Sequence, residues 1–192
     1  MPEQIDFPLP PNLPHPIDDG TADHLMGMSL PPVSLRSTAG RMVDLSVQSS
    51  PRTVIYCYPM TGVPGKALPE GWDEIPGARG CTPQTCNFRH HHKELSQLKT
   101  TVFGLSTQTS EYQREMAERL NLPFEILSDA EFRICDALRM PTFTVGGIRL
   151  VKRLTIIVRQ GRIEHVFYPV FPPDKSADQV LHWLRDHPIP NG

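Results

Sequence analysis

The segment "GARGCTPQTC", Gly77 to Cys86, places two cysteines five positions apart in a chain that has four cysteines in all. Such a pair is typical of a metal clip, a structural crosslink, or a reactive thiol beside a second thiol that resolves it. Four cysteines are too few for a disulfide scaffold in 192 residues, and structural bridges are uncommon in a reducing cytosol. Metal and redox chemistry therefore remain to be compared.

A structural zinc site uses four ligands, usually as two close pairs, and the sequence contains one such pair. The run "HHH" at 90–92 lies nearby. On a helix, consecutive residues point about 100° apart, so these imidazoles do not converge on one ion. We therefore expect a solvated helix face at 90–92, and neither a metal nor another cofactor.

The surroundings of Cys81 favour a reactive thiol. Thr82 is a suitable helix cap, and Pro83 suits the first helical position, where no amide donor is required. Gly80 lets the backbone turn sharply into the helix. Cys81 is then held against the unpaired N–H groups of the helix start, which favour the thiolate and make it a nucleophile. Other cysteines of the chain, Cys57 in a strand pattern and Cys135 on an apolar helix face, are expected to be small buried hydrophobes.

Composition excludes several classes of function. The formal charge is −2, with 21% charged and 39% hydrophobic residues, so nothing indicates nucleic acid or an anionic membrane as a partner. No apolar run approaches the roughly 20 residues that span a bilayer. The start "MPEQIDFPLPPNLPHP" lacks the basic and apolar parts of a secretory signal. We expect one cytoplasmic domain.

Residues 1–28 are proline-rich, with six prolines in the first sixteen positions, and predict an extended arm that either packs on the protein or is disordered. Residues 29–192 form the predicted domain. It begins with a β-hairpin that turns at Ala39-Gly40 and continues with a buried strand and a long loop, 60–80. In that loop Trp72 covers a pocket, binds a partner or pins the loop to the body, and we favour pinning. Strands then alternate with helices, which indicates an α/β fold with a mixed sheet flanked by helices.

Three motifs resemble one family. The first is a "YP" that ends a strand and is followed by "GCTPQTCNFR"; the second is "VFGLSTQTSEYQREMAERLNLPFEILSD"; the third is "RLTIIVRQGRIEHVFYPV". They occur in the order found in peroxiredoxins of the peroxiredoxin Q, or bacterioferritin comigratory protein, type. The likeness covers roughly residues 30–187. It implies a thioredoxin-like fold and reduction of peroxides by thiol chemistry.

By position, the resemblance implies that Cys81 is the peroxidatic cysteine, Cys86 the resolving cysteine, and Arg153 the arginine that stabilises the thiolate. A cation beside a thiolate favours its charged form and can polarise a peroxide oxygen. Without the resemblance, Arg153 would be interpreted as a surface charge. The expected reductant is a small dithiol protein, thioredoxin or glutaredoxin.

The chain departs from the family pattern at one place. The family has Pro, three residues, Thr or Ser, two residues and then Cys, whereas Pro59 lies 22 positions before Cys81, so about fifteen residues are inserted. The hydroxyl position is taken by Ala78. We expect Thr61 to supply the hydroxyl if the inserted loop bulges out behind it.

These observations predict a thiol peroxidase that reduces hydrogen peroxide and organic hydroperoxides through an intramolecular disulfide. The alternative is a redox sensor or thiol-dependent binding module with little turnover, supported by Ala78 and the insertion. Whether the protein is a monomer or a homodimer is left open by the sequence.

Overall fold

The computed structural model describes residues 8–189. Its core is one seven-stranded sheet with the spatial order β2-β1-β5-β4-β3-β8-β9. The strands are β1 (Ser34–Ser37), β2 (Met42–Asp44), β3 (Arg52–Cys57), β4 (Thr100–Ser106), β5 (Glu125–Ser128), β8 (Leu154–Arg159) and β9 (Arg162–Phe167), and a separate two-stranded hairpin holds β6 (Thr142–Val145) and β7 (Ile148–Val151). The helices are α1 (Cys81–Gln97), α2 (Ser110–Arg119), α3 (Arg133–Ala137) and α4 (Ser176–Asp186).

The sheet is mixed. Strands β3, β4 and β5 run parallel, and all other neighbours in the sheet pair antiparallel. Every residue of β3 is buried, as expected for an apolar strand covered on both faces. One outer hairpin turns at Gly40, where φ is 81°, and the other at Gln160-Gly161, where φ is 51° and 73°. Positive φ angles suit the twist of a tight turn. The predicted thioredoxin-like α/β architecture is confirmed.

Helices cover both faces of the sheet. One apolar cluster joins α1, α2 and α4 to the sheet through residues such as Phe88, Met116 and Leu181. A second cluster on the other face includes Ile134 of α3 and Leu25 of a short 3-10 helix, Asp23–Leu25. The apolar residues of α1 at helical spacing, Phe88 and Leu95, are both fully buried.

The inserted loop has a small apolar cluster of its own. Trp72 is 3% exposed and packs with Ala78, Val145 and Leu150, so the loop is held by the β6–β7 hairpin. This packing agrees with the expectation that Trp72 pins the loop to the body, and the same residue also lines a cavity, which was one of the alternatives. The sequence does not predict this hairpin, because "TFTVGGIRLV" is short and half exposed.

The arm packs on the protein from residue 8 onward, and residues 1–7 lie outside the described part. A backbone bridge pairs Ser29 with Arg162, which continues the sheet at its β9 edge. Within residues 8–189, no helix has the length and apolar character to cross a bilayer.

Candidate active site

Strand pairing brings Cys81 and Arg153 to one edge of the sheet. In the antiparallel pair of β3 and β8, Cys57 lies opposite Leu154. The carboxyl end of β3 and the residue before β8, Arg153, therefore share an edge. After the inserted loop, the chain returns to this edge and begins α1 at Cys81.

The start of α1 is built around Gly80. This residue has φ of +106°, a conformation that favours glycine, and a Cβ there would lie 2.3 Å from Cγ of Pro173. The sharp turn expected at Gly80 is thus observed, but the predicted cap is wrong. Cys81 itself is the first helical residue and no side chain caps the helix, so Thr82 and Pro83 lie within its first turn.

Arg153 encloses Cys81 with a buried guanidinium, since the residue is 3% exposed. Its Nη2 donates to Sγ of Cys81 over 3.2 Å and to the carbonyls of Ala78 and Arg79 over 3.0 and 3.1 Å. Its Nε donates to the Gly77 carbonyl over 3.2 Å. These carbonyls fix the plane of the guanidinium, so that one N–H is aimed at the sulfur. The interpretation of Arg153 as a surface charge does not fit this burial.

Gln84 completes the arginine site and was missed by the sequence reasoning. Its Oε1 accepts a hydrogen bond from Nη1 of Arg153, and its Nε2 donates to Oγ of Ser176 over 3.2 Å. Ser176 in turn lies 3.3 Å from the Thr155 hydroxyl. The signal was present, because Gln84 follows Cys81 by three residues and so shares its helix face.

Cys86 lies in the second turn of α1 and is 6% exposed. It is not bonded to Cys81. On a regular helix, residues five apart have a rise of about 7.5 Å and a rotation of about 140°, which places their Cα atoms about 8.7 Å apart. Disulfides seldom span more than about 7 Å between Cα atoms. The first turns of α1 must therefore unwind before Cys81 and Cys86 can form a disulfide.

Pro59 and Thr61 lie at the start of the inserted loop, and both are buried. The Pro59 carbonyl accepts from the Ser106 hydroxyl over 3.1 Å. The Thr61 amide and hydroxyl donate to Oε1 of Gln108 over 3.0 and 3.4 Å. The cavity over Cys81 is lined by Met60 and Gly62, on either side of Thr61. The role of the Thr61 hydroxyl thus stays a prediction.

A cavity of about 450 Å³ opens over Cys81. Its walls come from four parts of the chain, which are the arm, the inserted loop, the start of α1 and the end of α2. Apolar side chains predominate, and the charged residues that line the cavity are cations. The principal lining residues are Leu9, Met60, Leu68, Trp72, Lys66, Arg79 and Arg119.

The two other cysteines lie outside this site. Cys57 and Cys135 are fully buried in the opposite cluster. Burial raises the pKa of each thiol, and the nearby Asp129 carboxylate raises it further. Neither has the nucleophilic character of a thiolate at neutral pH.

Comparison with known proteins identifies the same family as the sequence motifs. A family model described as Redoxin matches residues 25–181. Peroxiredoxin Bcp of Escherichia coli (strain K12) is 31% identical over 163 residues, which cover 82% of this chain and 93% of that protein. The chloroplastic peroxiredoxin Q of Sedum lineare is 30% identical over 159 residues, covering 83% of this chain and 77% of the plant protein.

A solved structure agrees with these matches. Peroxidoxin BcpB from Mycobacterium tuberculosis aligns with a TM-score of 0.69 at 25% identity, covering 84% of this chain and 97% of that one. The family model spans most of the domain, including both cysteines and Arg153. The chain therefore belongs to the redoxin family and is a thiol-dependent peroxidase of the peroxiredoxin Q/Bcp type.

Proposed function

We propose that the chain reduces hydrogen peroxide and organic hydroperoxides with Cys81, and that Cys86 resolves the oxidised cysteine as an intramolecular disulfide. The observation that carries this proposal is the 3.2 Å contact from Arg153 Nη2 to Cys81 Sγ at the first residue of α1. A buried guanidinium and the helix start both stabilise negative charge on the sulfur.

In the first step, the Cys81 thiolate attacks one oxygen of the hydroperoxide and the O–O bond breaks. The leaving oxygen takes a proton and departs as an alcohol, or as water from hydrogen peroxide, and Cys81 becomes a sulfenic acid. Arg153 can donate to the peroxide as well as to the sulfur, which aligns the two and stabilises the charge that moves to the leaving oxygen. The Thr61 hydroxyl becomes a second donor to the peroxide if it turns from Oε1 of Gln108 toward the cavity that its neighbours Met60 and Gly62 line, with Pro59 shaping the loop that presents it.

In the second step, the Cys86 sulfur attacks the sulfenic sulfur, and water leaves as the disulfide forms. A dithiol protein, thioredoxin or glutaredoxin, then reduces the Cys81–Cys86 bond by exchange and becomes oxidised in its place. The sum of the steps is one hydroperoxide and two thiols converted to an alcohol, water and one disulfide.

The test is steady-state peroxide consumption with a thioredoxin system and, separately, with a glutaredoxin system. We expect Cys81→Ser to abolish consumption and Cys86→Ser to oxidise once and then stop with protein dithiols as reductant. Cys135→Ala is the matched control, because its thiol lies outside the site. Substantial turnover by Cys81→Ser, or a wild-type protein whose oxidised form lacks the Cys81–Cys86 bridge by mass, contradicts the proposal.

A redox sensor with little turnover is the second candidate, and Ala78 favours it. This residue holds the position of the family hydroxyl, and its carbonyl is 3.6 Å from the Cys81 sulfur. A sensor consumes about one equivalent of peroxide and stops in the same assay, whereas a peroxidase continues until the reductant is exhausted.

A further inference from the structure

The N-terminal arm lies directly over the start of α1. We define the strap as residues 8–21. Its first residues, Pro8, Leu9 and Pro10, line the cavity over Cys81. Leu9 Cδ2 lies 3.0 Å from the point where a Cβ on Gly80 would be, and Pro16 lies 3.5 Å from the same point on Gly77. The strap thus packs on the backbone immediately before the peroxidatic cysteine.

The strap is anchored to the segments that hold the active site. The Asp19 carboxylate accepts from Nζ of Lys152 over 2.7 Å and from the Tyr168 hydroxyl over 2.9 Å. Lys152 immediately precedes Arg153. Nearer the N-terminal end of the strap, the ring of His15 packs against Phe171 with a centroid separation of 4.1 Å.

Closing the disulfide conflicts with this arrangement. Residues at the start of α1 must leave helical geometry before Cys81 and Cys86 can approach within bonding range. Gly80 immediately precedes Cys81, and both Leu9 and Pro173 pack against it, with Leu9 Cδ2 and Pro173 Cγ at 3.0 and 2.3 Å from the point that a Cβ would occupy. A change in the Gly80 backbone toward that side has to displace Leu9 or Pro173.

We propose that the strap is a latch on disulfide formation: docked, it holds the peroxidatic helix closed, and it must lift for Cys86 to reach the sulfenic acid. The proposal rests on the proposed function, since it needs a Cys81–Cys86 disulfide. The latch sets how long the sulfenic acid persists, and therefore how often a second peroxide oxidises it to sulfinic acid before Cys86 resolves it.

The strap has the properties of a segment that opens locally. It contains no helix or strand over residues 8–21. Its anchor is a partly exposed ion pair, with 33% and 39% of the Lys152 and Asp19 side chains exposed, and such pairs contribute little stability. Ile17 is 83% exposed. Segments with few buried contacts open far below the free energy of global unfolding.

The test measures the two chemical steps separately in the full chain by rapid quench and mass spectrometry. Asp19→Asn removes the charge of the anchor outside the cavity. We expect the second-order reaction with hydrogen peroxide to stay within about twofold of wild type, because no group beside the sulfur has changed. Disulfide formation should accelerate about two- to fivefold, the range set by loss of an exposed ion pair.

Leu9→Ala removes the contact with Gly80 itself and should accelerate disulfide formation about fivefold or more, in line with losing part of a leucine contact. In each variant, the amount of sulfinic acid formed per turnover should fall by the factor by which disulfide formation accelerates in that variant. Glu125→Gln is the matched control, because it breaks another partly exposed pair, Arg41–Glu125 at 2.6 Å, in a different part of the fold. Its disulfide rate should equal that of wild type.

Two outcomes overturn the latch. If disulfide formation in both Asp19→Asn and Leu9→Ala matches wild type, the strap does not oppose resolution. If Glu125→Gln accelerates resolution as much as the strap variants do, the effect is general loosening. A wild-type protein that forms no Cys81–Cys86 disulfide is a different result, since it removes the proposed function on which the latch rests.

Discussion

Replacing Arg153 by Met tests the contact on which the proposed chemistry depends. Methionine fills a similar volume with a flexible apolar chain and removes all five N–H donors. The variant loses the 3.2 Å hydrogen bond to the Cys81 sulfur together with the donors to the Gly77, Ala78 and Arg79 carbonyls.

The size of the effect follows from these contacts. A hydrogen bond to a charged group contributes about 1.5–3 kcal/mol. If that contribution is lost from the transition state, the rate constant with peroxide falls about 10- to 150-fold at 1.36 kcal/mol per factor of ten. The carbonyls left without their donor destabilise the fold by about 1–3 kcal/mol each when they stay unsatisfied. The assay therefore has to run at a temperature where the variant is fully folded.

The measurement pairs two reactions of the same sulfur. Stopped-flow oxidation by hydrogen peroxide reports thiolate stability together with peroxide alignment, whereas alkylation by iodoacetamide reports the thiolate without the peroxide. We expect both to slow in Arg153→Met, and peroxide oxidation to slow more. Arg153→Lys is the control that keeps the charge but loses the planar fork, and we expect an intermediate rate. Folded Arg153→Met that reacts within about twofold of wild type in both assays refutes the reasoning.

Three further outcomes follow from the same geometry. Thr61→Val should lower kcat/KM for hydrogen peroxide by about two- to tenfold, the worth of one neutral hydrogen bond, and equal activity would assign the hydroxyl role elsewhere. Amide exchange across residues 82–90 should be faster in the disulfide form than in the reduced form, because the bridge requires the helix to open; equal protection contradicts this. The hydrogen bonds from Lys152 and then Thr21 hold the pKa of Asp19 below its ordinary 3.8, so its contribution is present above that pH and lost as pH falls. In urea unfolding, the stability difference between wild type and Asp19→Asn should therefore be constant from pH 7 to about 5 and shrink below about 4.

The local patterns of the sequence predicted the first part of the sheet. A buried strand before the long loop corresponds to β3, and the turn at Ala39-Gly40 corresponds to the β1–β2 hairpin, because burial on both faces and tight turns each impose a local signature. The β6–β7 hairpin has neither a strong alternation nor two buried faces, and it was missed. The choice between an ordered and a disordered arm depended on contacts with distant residues such as Phe171 and Lys152, which composition does not encode.

For the site too, features with a local signal in the sequence were predicted, and features set by distant residues were not. Cys81 at a helix start was recognisable from its neighbours, and the structure places it there with Arg153 beside it. The identity of the cap was wrong because the turn at Gly80 is set by packing against Pro173, a residue 93 positions away. The direction of the Thr61 hydroxyl is likewise set by Gln108, and no local pattern carries that information.

The shared cluster of Trp72, Val145 and Leu150 makes the inserted loop and the β6–β7 hairpin dependent on one another. Each supplies the apolar surface that the other covers, and neither is part of the seven-stranded sheet. Shortening the loop alone would leave the inner face of the hairpin exposed to water, and deleting the hairpin would release the tryptophan. In protein engineering, the two elements therefore have to be altered together, whereas helix α1, which carries both thiols, belongs to a different apolar cluster.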